Sequence, residues 1–271
     1  MKKKCITRKR KTWLGPSGKR LSKKAEERVR KIGIPPAYTN VCVNPSANKK
    51  LQGTAIDKKG NTHYYYHPNF VKSNQKKRLR RVKTINGKKI LNATAKIIDR
   101  NVKNKEWKAS VALRLIATTG MRSGSEKYMK ENGSIGAMTL RPKHVVLSGG
   151  GVLLKFKGKS KVEHDMKVKD TRLKQSLRWL KKNEKNTLFG VKREDVVHIL
   201  RRHGKDLQLK DLRTMLAMNL HREYYKKLKK KYPKEKENVI SKNAIKLTAK
   251  QLGHTPGVCK KYYLLDMKFK Q

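Results

Sequence analysis

Apolar positions in this chain fall into two rhythms, period-two runs and period-3.6 faces, separated by stretches where Lys and Arg dominate. Residues 41–43, 51–57 and 62–67 read as short strands, the last two joined by a turn at Lys58-Lys59-Gly60-Asn61. Within Tyr64-Tyr65-Tyr66, alternation puts Tyr64 and Tyr66 on one face and Tyr65 on the other, one of them core and the other free to press hydroxyls against a partner. Residues 72–89 are polar and basic with Ser73-Asn74-Gln75 and Asn86-Gly87 as breakers, which predicts a domain boundary there, between 1–82 and 83–271. Helical spacing then takes over: Trp107, Val111 and Leu115 recur at i+4, and Gly120 closes the pattern as a cap. Strands return over 144–168, where Val152, Leu154 and Phe156 alternate, as do Val162, His164, Met166 and Val168. Further helical faces follow at Leu173, Leu177 and Leu180, at Val196 and Leu200, and from Leu212 to Leu220. Residues 226–236, a charge run around Pro233, read as a solvated loop. The fold class expected is α+β: a small N-terminal β-rich domain, then a larger, mainly α domain carrying a small β-hairpin sheet.

Charge narrows the partner. Lys and Arg number 72 against 19 Asp and Glu, a formal net charge of +53. Such a chain repels itself, and a polyanion relieves the repulsion. Nucleic acid fits best, since binding phosphates releases counterions. A membrane surface would require an apolar helix face opposite the lysines, whereas here the lysines are spread throughout. Residues 1–31 are so basic, with Arg8-Lys9-Arg10-Lys11 near the front, that they read as a DNA-binding or import arm, or as a solvated tail. Cys5, Cys42 and Cys259 are widely spaced, which argues against a zinc site and against a disulfide framework. With Met1-Lys2-Lys3-Lys4 in place of a leader and no apolar run near the ~20 residues of a membrane span, the expected protein is soluble and intracellular.

Candidate chemistry concentrates near the end, in Leu252-Gly253-His254-Thr255-Pro256-Gly257-Val258-Cys259-Lys260-Lys261-Tyr262-Tyr263. Thr255-Pro256 predicts a helix start, with a hydroxyl cap and proline at the first position. His254 then lies just outside a helix N-terminus, where anions are welcome. Tyr263 falls about two turns further on, roughly 10 Å away along a continuous helix, so the two rings need not touch unless the segment bends. Tyr262 is expected to share a packing face with Val258 and Leu265. Three other cations stand out by position. Arg122 follows the helix capped by Gly120, Lys159 sits at the hairpin tip Gly158-Lys159-Ser160, and Arg213 lies beside an apolar stripe in Lys210-Asp211-Leu212-Arg213-Thr214. Taken alone, Arg213 reads as a surface residue. A phosphate-binding P-loop at Gly158-Lys159-Ser160 is excluded because position 153 is Leu, where the motif requires Gly.

The order Arg122, Lys159, Arg213, His254, Tyr263 resembles the type IB DNA topoisomerases, closest to their compact poxvirus, giant-virus and bacterial form. The matching stretches include GNTHYYYHPNF (60–70), MRSGSEKYMKENGSIGAMTLRPKHV (121–145), FKGKSKVEHD (156–165), KDLRT (210–214) and LGHTPGVCKKYY (252–263). The resemblance implies two lobes closing on duplex DNA as a monomer, without metal, nucleotide or other cofactor. It implies that Tyr263 attacks a phosphodiester to give a 3′-phosphotyrosyl link, that Arg122, Arg213 and His254 stabilise the non-bridging oxygens, and that Lys159 protonates the departing 5′-oxygen. A free phenol titrates near ~10, and surrounding cations favour its anion. Tyr64, Tyr66, Lys127, Tyr128, Lys161 and Lys210 are the implied DNA contacts. One departure is that the chain ends eight residues after Tyr263, without the long poxvirus tail. The absence of an acidic cluster for Mg²⁺, of a nucleotide-binding loop and of a zinc-ligand set agrees with this chemistry. Tyrosine recombinases share the catalytic set but usually carry His three residues before the second arginine, where Lys210 stands here. A non-enzymatic DNA-packaging protein would need no such fixed order.

Overall fold

The computed structural model describes residues 5–265. The first four residues of the expected arm and the last six of the expected catalytic domain lie outside them. The chain divides into two compact units between Lys77 and Arg78.

The N-terminal unit is an antiparallel sheet in the order β2-β1-β3-β4-β5. Its strands are β1 (Ile6–Lys9), β2 (Thr12–Leu14), β3 (Thr39–Val43), β4 (Leu51–Ile56) and β5 (Thr62–Tyr66), with helix α1 (Lys23–Lys31) between β2 and β3. Ile6, Trp13, Val29, Ile34, Val41, Val43 and Ala55 form its core, against which Tyr65 packs, while Tyr64 and Tyr66 are exposed. Residues 5–31 are therefore not an arm or a tail. Ile6, Trp13 and Val29 are buried, and Arg8 donates to the carbonyls of Ile34, Pro35, Pro36 and Tyr38, so part of the charge that hid these elements holds them in place. A second correction is the disulfide between Cys5 and Cys42, whose Cα atoms lie 5.4 Å apart. It links residues 37 positions apart, a pairing that spacing alone does not reveal.

Helix α2 (Pro68–Thr84) runs through Ser73-Asn74-Gln75 without a break; the stop comes at Asn86, whose side chain caps α3 (Gly87–Asp99). At the centre of the larger unit lies α4 (Lys105–Thr119), buried on nearly every face from Trp107 to Ala117. Around it lie α3, α5 (Glu126–Asn132), α6 (Thr171–Asn183), α7 (Arg193–Arg201), α8 (Leu209–Lys231), α9 (Glu237–Leu252) and α10 (Pro256–Tyr262). A three-stranded antiparallel sheet, β6 (Val145–Ser148), β7 (Gly151–Lys157) and β8 (Glu163–Lys167), completes the unit. The charge run expected to be a loop begins as helix instead: α8 continues to Lys231, because lysine is a good helix former and a solvated face tolerates its charge. No helix among the described residues is long and apolar enough to cross a membrane.

A smaller core seats the C-terminal helix. Cys259 and Leu264 are buried with Val82, Met218, Ile245 and Ala249. Tyr262 and Val258 are exposed, contrary to the packing face expected for them, because the buried stripe runs through Cys259 instead.

Gly120 ends α4 in the left-handed region at φ 67°, and a Cβ there would stand 2.8 Å from Leu252 Cδ2 and 3.0 Å from Leu216 Cδ2. Gly120→Ala is expected to lower the unfolding free energy by about 2–3 kcal/mol, combining left-handed strain with overpacking. Urea denaturation measures this, and a loss below about 0.5 kcal/mol, the scale of a surface substitution, would count against the tight cap.

Candidate active site

Five element ends meet in the larger unit. The turn after α4 brings Arg122 forward and is laid across residues 135–138: Ala137 N–H donates to Arg122 O (2.8 Å) and Met138 N–H to Ser123 O (2.7 Å). The crossing needs two glycines, since a Cβ on Gly136 would sit 2.4 Å from the Gly124 backbone. The β7–β8 hairpin turns through Lys159–Lys161, closed by Gly158 N–H to Val162 O at 2.8 Å, and projects Lys159. Ile135 N–H donates to Lys157 O (2.8 Å), tying this hairpin to the segment under Arg122.

Arg213, five residues into α8, is not a surface residue: it is 5% exposed. Its Nη1 donates to Gly120 O at 2.5 Å and its Nη2 to Leu252 O at 2.5 Å. Both carbonyls belong to helix ends, where such groups lack intrahelical partners and a cation is favoured. Burial, followed by the neighbouring Arg122 charge, pulls the Arg213 pKa down, and Tyr263 opposes the shift.

Thr255 caps α10 through its hydroxyl and Pro256 occupies the first turn, as the sequence predicts. The helix is only seven residues long, and Tyr263 already departs from it at φ −121°. Because side chains lean toward the helix N-terminus, the ring reaches back to His254, with centroids 4.8 Å apart. The two rings do touch, and the guanidinium of Arg213 lies 5.3 Å from the Tyr263 centroid.

The His254 pKa is lowered to about 4, by burial first and then by Arg213. Its Nδ1 lies 3.2 Å from Arg213 Nη2. Arginine only donates, and the Leu252 carbonyl beside the ring, which would favour a proton on Nδ1, already accepts from Arg213 Nη2 at 2.5 Å, so Nδ1 holds the lone pair and Nε2 the proton. That Nε2 is buried and has no partner among the described residues.

Arg122, Lys159, Arg213 and Tyr263 line one cleft of about 380 Å³, with Tyr128, Lys210 and the Ser123–Ser125 backbone on its walls. His254 stands behind Tyr263 and Arg213. Among the remaining sequence candidates, Lys127 is exposed and pairs with Glu131 at 3.8 Å, and Lys161 is exposed at the hairpin turn; neither lines the cleft. Tyr64 and Tyr66 belong to the N-terminal unit. Sequence reasoning passed over Arg78, Arg81 and Asp211. Asp211 is fully buried, with Arg81 Nε 2.8 Å and Arg78 Nε 3.6 Å from its carboxylate. The arginines sit in an undistinguished basic run, and only the burial of an acid beside Arg213 would have pointed to them. Among the described residues no cluster of His, Cys, Asp and Glu is arranged to hold a metal ion.

The profile of the eukaryotic DNA topoisomerase I catalytic core matches residues 71–270, a span that contains all five of these side chains. The chain belongs to the type IB DNA topoisomerases. The profile of the bacterial DNA topoisomerase IB N-terminal domain matches residues 12–57. DNA topoisomerase 1B of Acanthamoeba polyphaga mimivirus is 31% identical over 263 residues, covering 89% of this chain and 77% of its own. DNA topoisomerase 1B of vaccinia virus (strain Copenhagen) is 29% identical over 254 residues, covering 89% of this chain and 79% of its own. As a type IB topoisomerase, the protein is an isomerase that acts on DNA.

The His254 assignment has a pH consequence. Folding keeps the ring neutral, so its protonation opposes the folded state. This contribution leaves stability undiminished above the ordinary histidine value of 6.5 and erodes it as pH falls from there toward about 4. Nitrogen-detected NMR should find His254 neutral at pH 6 with the proton on Nε2; a ring protonated at that pH would sink the assignment.

Proposed function

We propose that Tyr263 is the nucleophile of this topoisomerase and that Arg122, Lys159, Arg213 and His254 complete its catalytic set. The observation that carries the reading is the cleft itself, where Tyr263 and Tyr128 and the four cations Arg122, Lys159, Lys210 and Arg213 face one space with no carboxylate among its lining side chains in the described residues. A phosphodiester there meets Arg122 and Arg213, whose forked donors suit its non-bridging oxygens. The His254 Nε2 proton, buried without a partner among the described residues, is a further donor for those oxygens. Tyr263 Oη bonds to phosphorus as the bond to the 5′-oxygen breaks, the phenol gives up its proton to water, and Lys159 supplies one to the departing oxygen. The 3′-phosphotyrosyl link keeps the bond energy, so religation reverses these steps without ATP while torsion drives strand rotation.

Lys159 is favoured over its neighbours by its engagement. Lys155 pairs with Asp165 at 3.3 Å and Lys157 with Glu163 at 3.4 Å across the hairpin, whereas Lys159 lines the cleft. Duplex DNA is the partner, and one chain suffices because all five groups come from it. Tyr128 and Lys210 on the cleft wall, Lys127 and Lys161 nearby in sequence, and the exposed Tyr64 and Tyr66 are its proposed DNA contacts.

Supercoiled plasmid should be relaxed in EDTA without nucleotide. Tyr263→Phe should abolish both relaxation and the covalent adduct, while Tyr262→Phe retains them. Mapping the adduct to Tyr262 by mass spectrometry would overturn the assignment.

Lys159→Ala should slow cleavage by ~10²–10⁴-fold, the usual contribution of a general acid, with DNA affinity nearly unchanged. A substrate with sulfur at the 5′-bridging position, whose thiolate leaves without a proton, should restore the rate. Rescue of Lys161→Ala instead, with Lys159→Ala unimpaired, would move the general acid two residues along the hairpin.

A further inference from the structure

The end of α10 is held from outside the five-residue set. The helix has only seven residues, so most of its carbonyls lack an intrahelical donor. Arg78, on α2, supplies one: its Nη1 donates to Tyr262 O at 3.1 Å. Its Nη2 donates to Lys210 O at 3.3 Å and to the Thr214 hydroxyl, both on α8. Its guanidinium lies 5.6 Å from the Tyr263 ring centroid, on a ring already flanked by Arg213 and His254.

We infer that Arg78 is a positioning residue for the nucleophile, clasping the last carbonyl before Tyr263 to the helix that carries Arg213. The two residues that must meet the same phosphate, Tyr263 and Arg213, are thereby tied through one planar group. The supporting chemistry is local. Burial works against the charge of Arg78, and Asp211 opposes that cost from 3.6 Å. Asp211 is in turn fixed by Arg81, one turn along α2, at 2.8 Å, and it accepts from Gln208 N–H at 3.1 Å where α8 begins. The carboxylate therefore locks α2 to the start of α8, and Arg78 reaches from that lock to Tyr262. Lysine cannot replace this fork: a single ammonium at that distance from the backbone does not span Tyr262 O, Lys210 O and the Thr214 hydroxyl together.

This inference rests on Tyr263 being the nucleophile, so the adduct of the wild-type protein is mapped first; an adduct elsewhere defeats that reading before any Arg78 variant is made. With Tyr263 established, single-turnover cleavage of a nicked-product substrate is compared with affinity for uncleaved duplex, measured in a Tyr263→Phe background. Arg78→Ala should cleave ~10–100-fold more slowly, the scale of a misplacement of about 1 Å, with affinity changed less than about threefold. Arg78→Lys should stay within about threefold of Arg78→Ala, while Arg80→Ala, a charge lost from the exposed face of the same helix, should cleave at the wild-type rate. A 5′-bridging sulfur should not restore Arg78→Ala, because the defect lies with the attacking group. Should Arg78→Ala fail to fold, Arg78→Lys, which keeps a charge opposite Asp211, decides the matter. A wild-type cleavage rate in Arg78→Lys, rescue by the sulfur substrate, or affinity lost in proportion to rate would each overturn the inference.

Discussion

The candidate active site depends on one buried guanidinium. Arg213 joins the carbonyl of Gly120, where α4 stops, to that of Leu252, where α9 stops. Each of those ends is followed two residues on by a side chain proposed to act in catalysis, Arg122 in the first case and His254 in the second. The same planar group thus fixes the takeoff points of two others. Both ends require backbone in the left-handed region, at Gly120 and at Gly253, so the chain turns sharply enough for the carbonyls to converge. A lysine in this position would reach one carbonyl and leave the other without its donor.

Among the described residues, the arrangement accumulates positive charge without an acid to match it. Asp211 is buried nearby, but it is engaged by Arg78 and Arg81 behind the cleft, and among the described residues Arg213 meets carbonyls, an imidazole and the Tyr263 phenol. A neutral His254 follows directly, since protonating a half-buried ring in contact with Arg213 sets like charges together. What the site lacks is an anion, and its donors are in place before one arrives. Such preorganisation is worth more in a partly dry cleft than in water, because no reorientation is required when charge develops on the phosphate.

What was legible in the sequence was mostly local. The Gly120 cap, the Thr255-Pro256 start and the alternation of β7 and β8 each depend on residues a few positions apart, and each is in the structure. The order of the five catalytic candidates was legible too, through likeness to a family. What escaped was long-range or obscured by charge. Arg81 and Asp211 are 130 residues apart, and nothing local marks them as partners. Strands β1 and β2, of four and three residues, carry one buried side chain each amid lysine and arginine, too few to show a period. The burial of Cys259 rather than Tyr262 reflects how a seven-residue helix rotates onto its neighbours, which the pattern Val258, Tyr262, Leu265 cannot fix alone.

Why the site forms at element ends follows from the backbone. The C-termini of α4 and α9 present carbonyls that need donors, and a buried arginine satisfies them at the cost of placing its own charge nearby. The N-terminus of α10 presents N–H groups, one of them taken by the Thr255 hydroxyl at 3.3 Å. The C-terminus of α10 again presents a carbonyl, and a second arginine meets it. Helix ends thus recruit guanidinium groups, and guanidinium groups recruit phosphate. The one cation of the proposed catalytic set that owes nothing to a helix end, Lys159, is carried on a hairpin whose next two residues, Ser160 and Lys161, hold positive φ without being glycine. Its side chain is exposed where Arg213 is buried. The division suits the tasks proposed for them: a group that only stabilises charge can be locked in place, whereas one that is to meet a leaving oxygen as the strand departs benefits from standing on a long, solvated side chain.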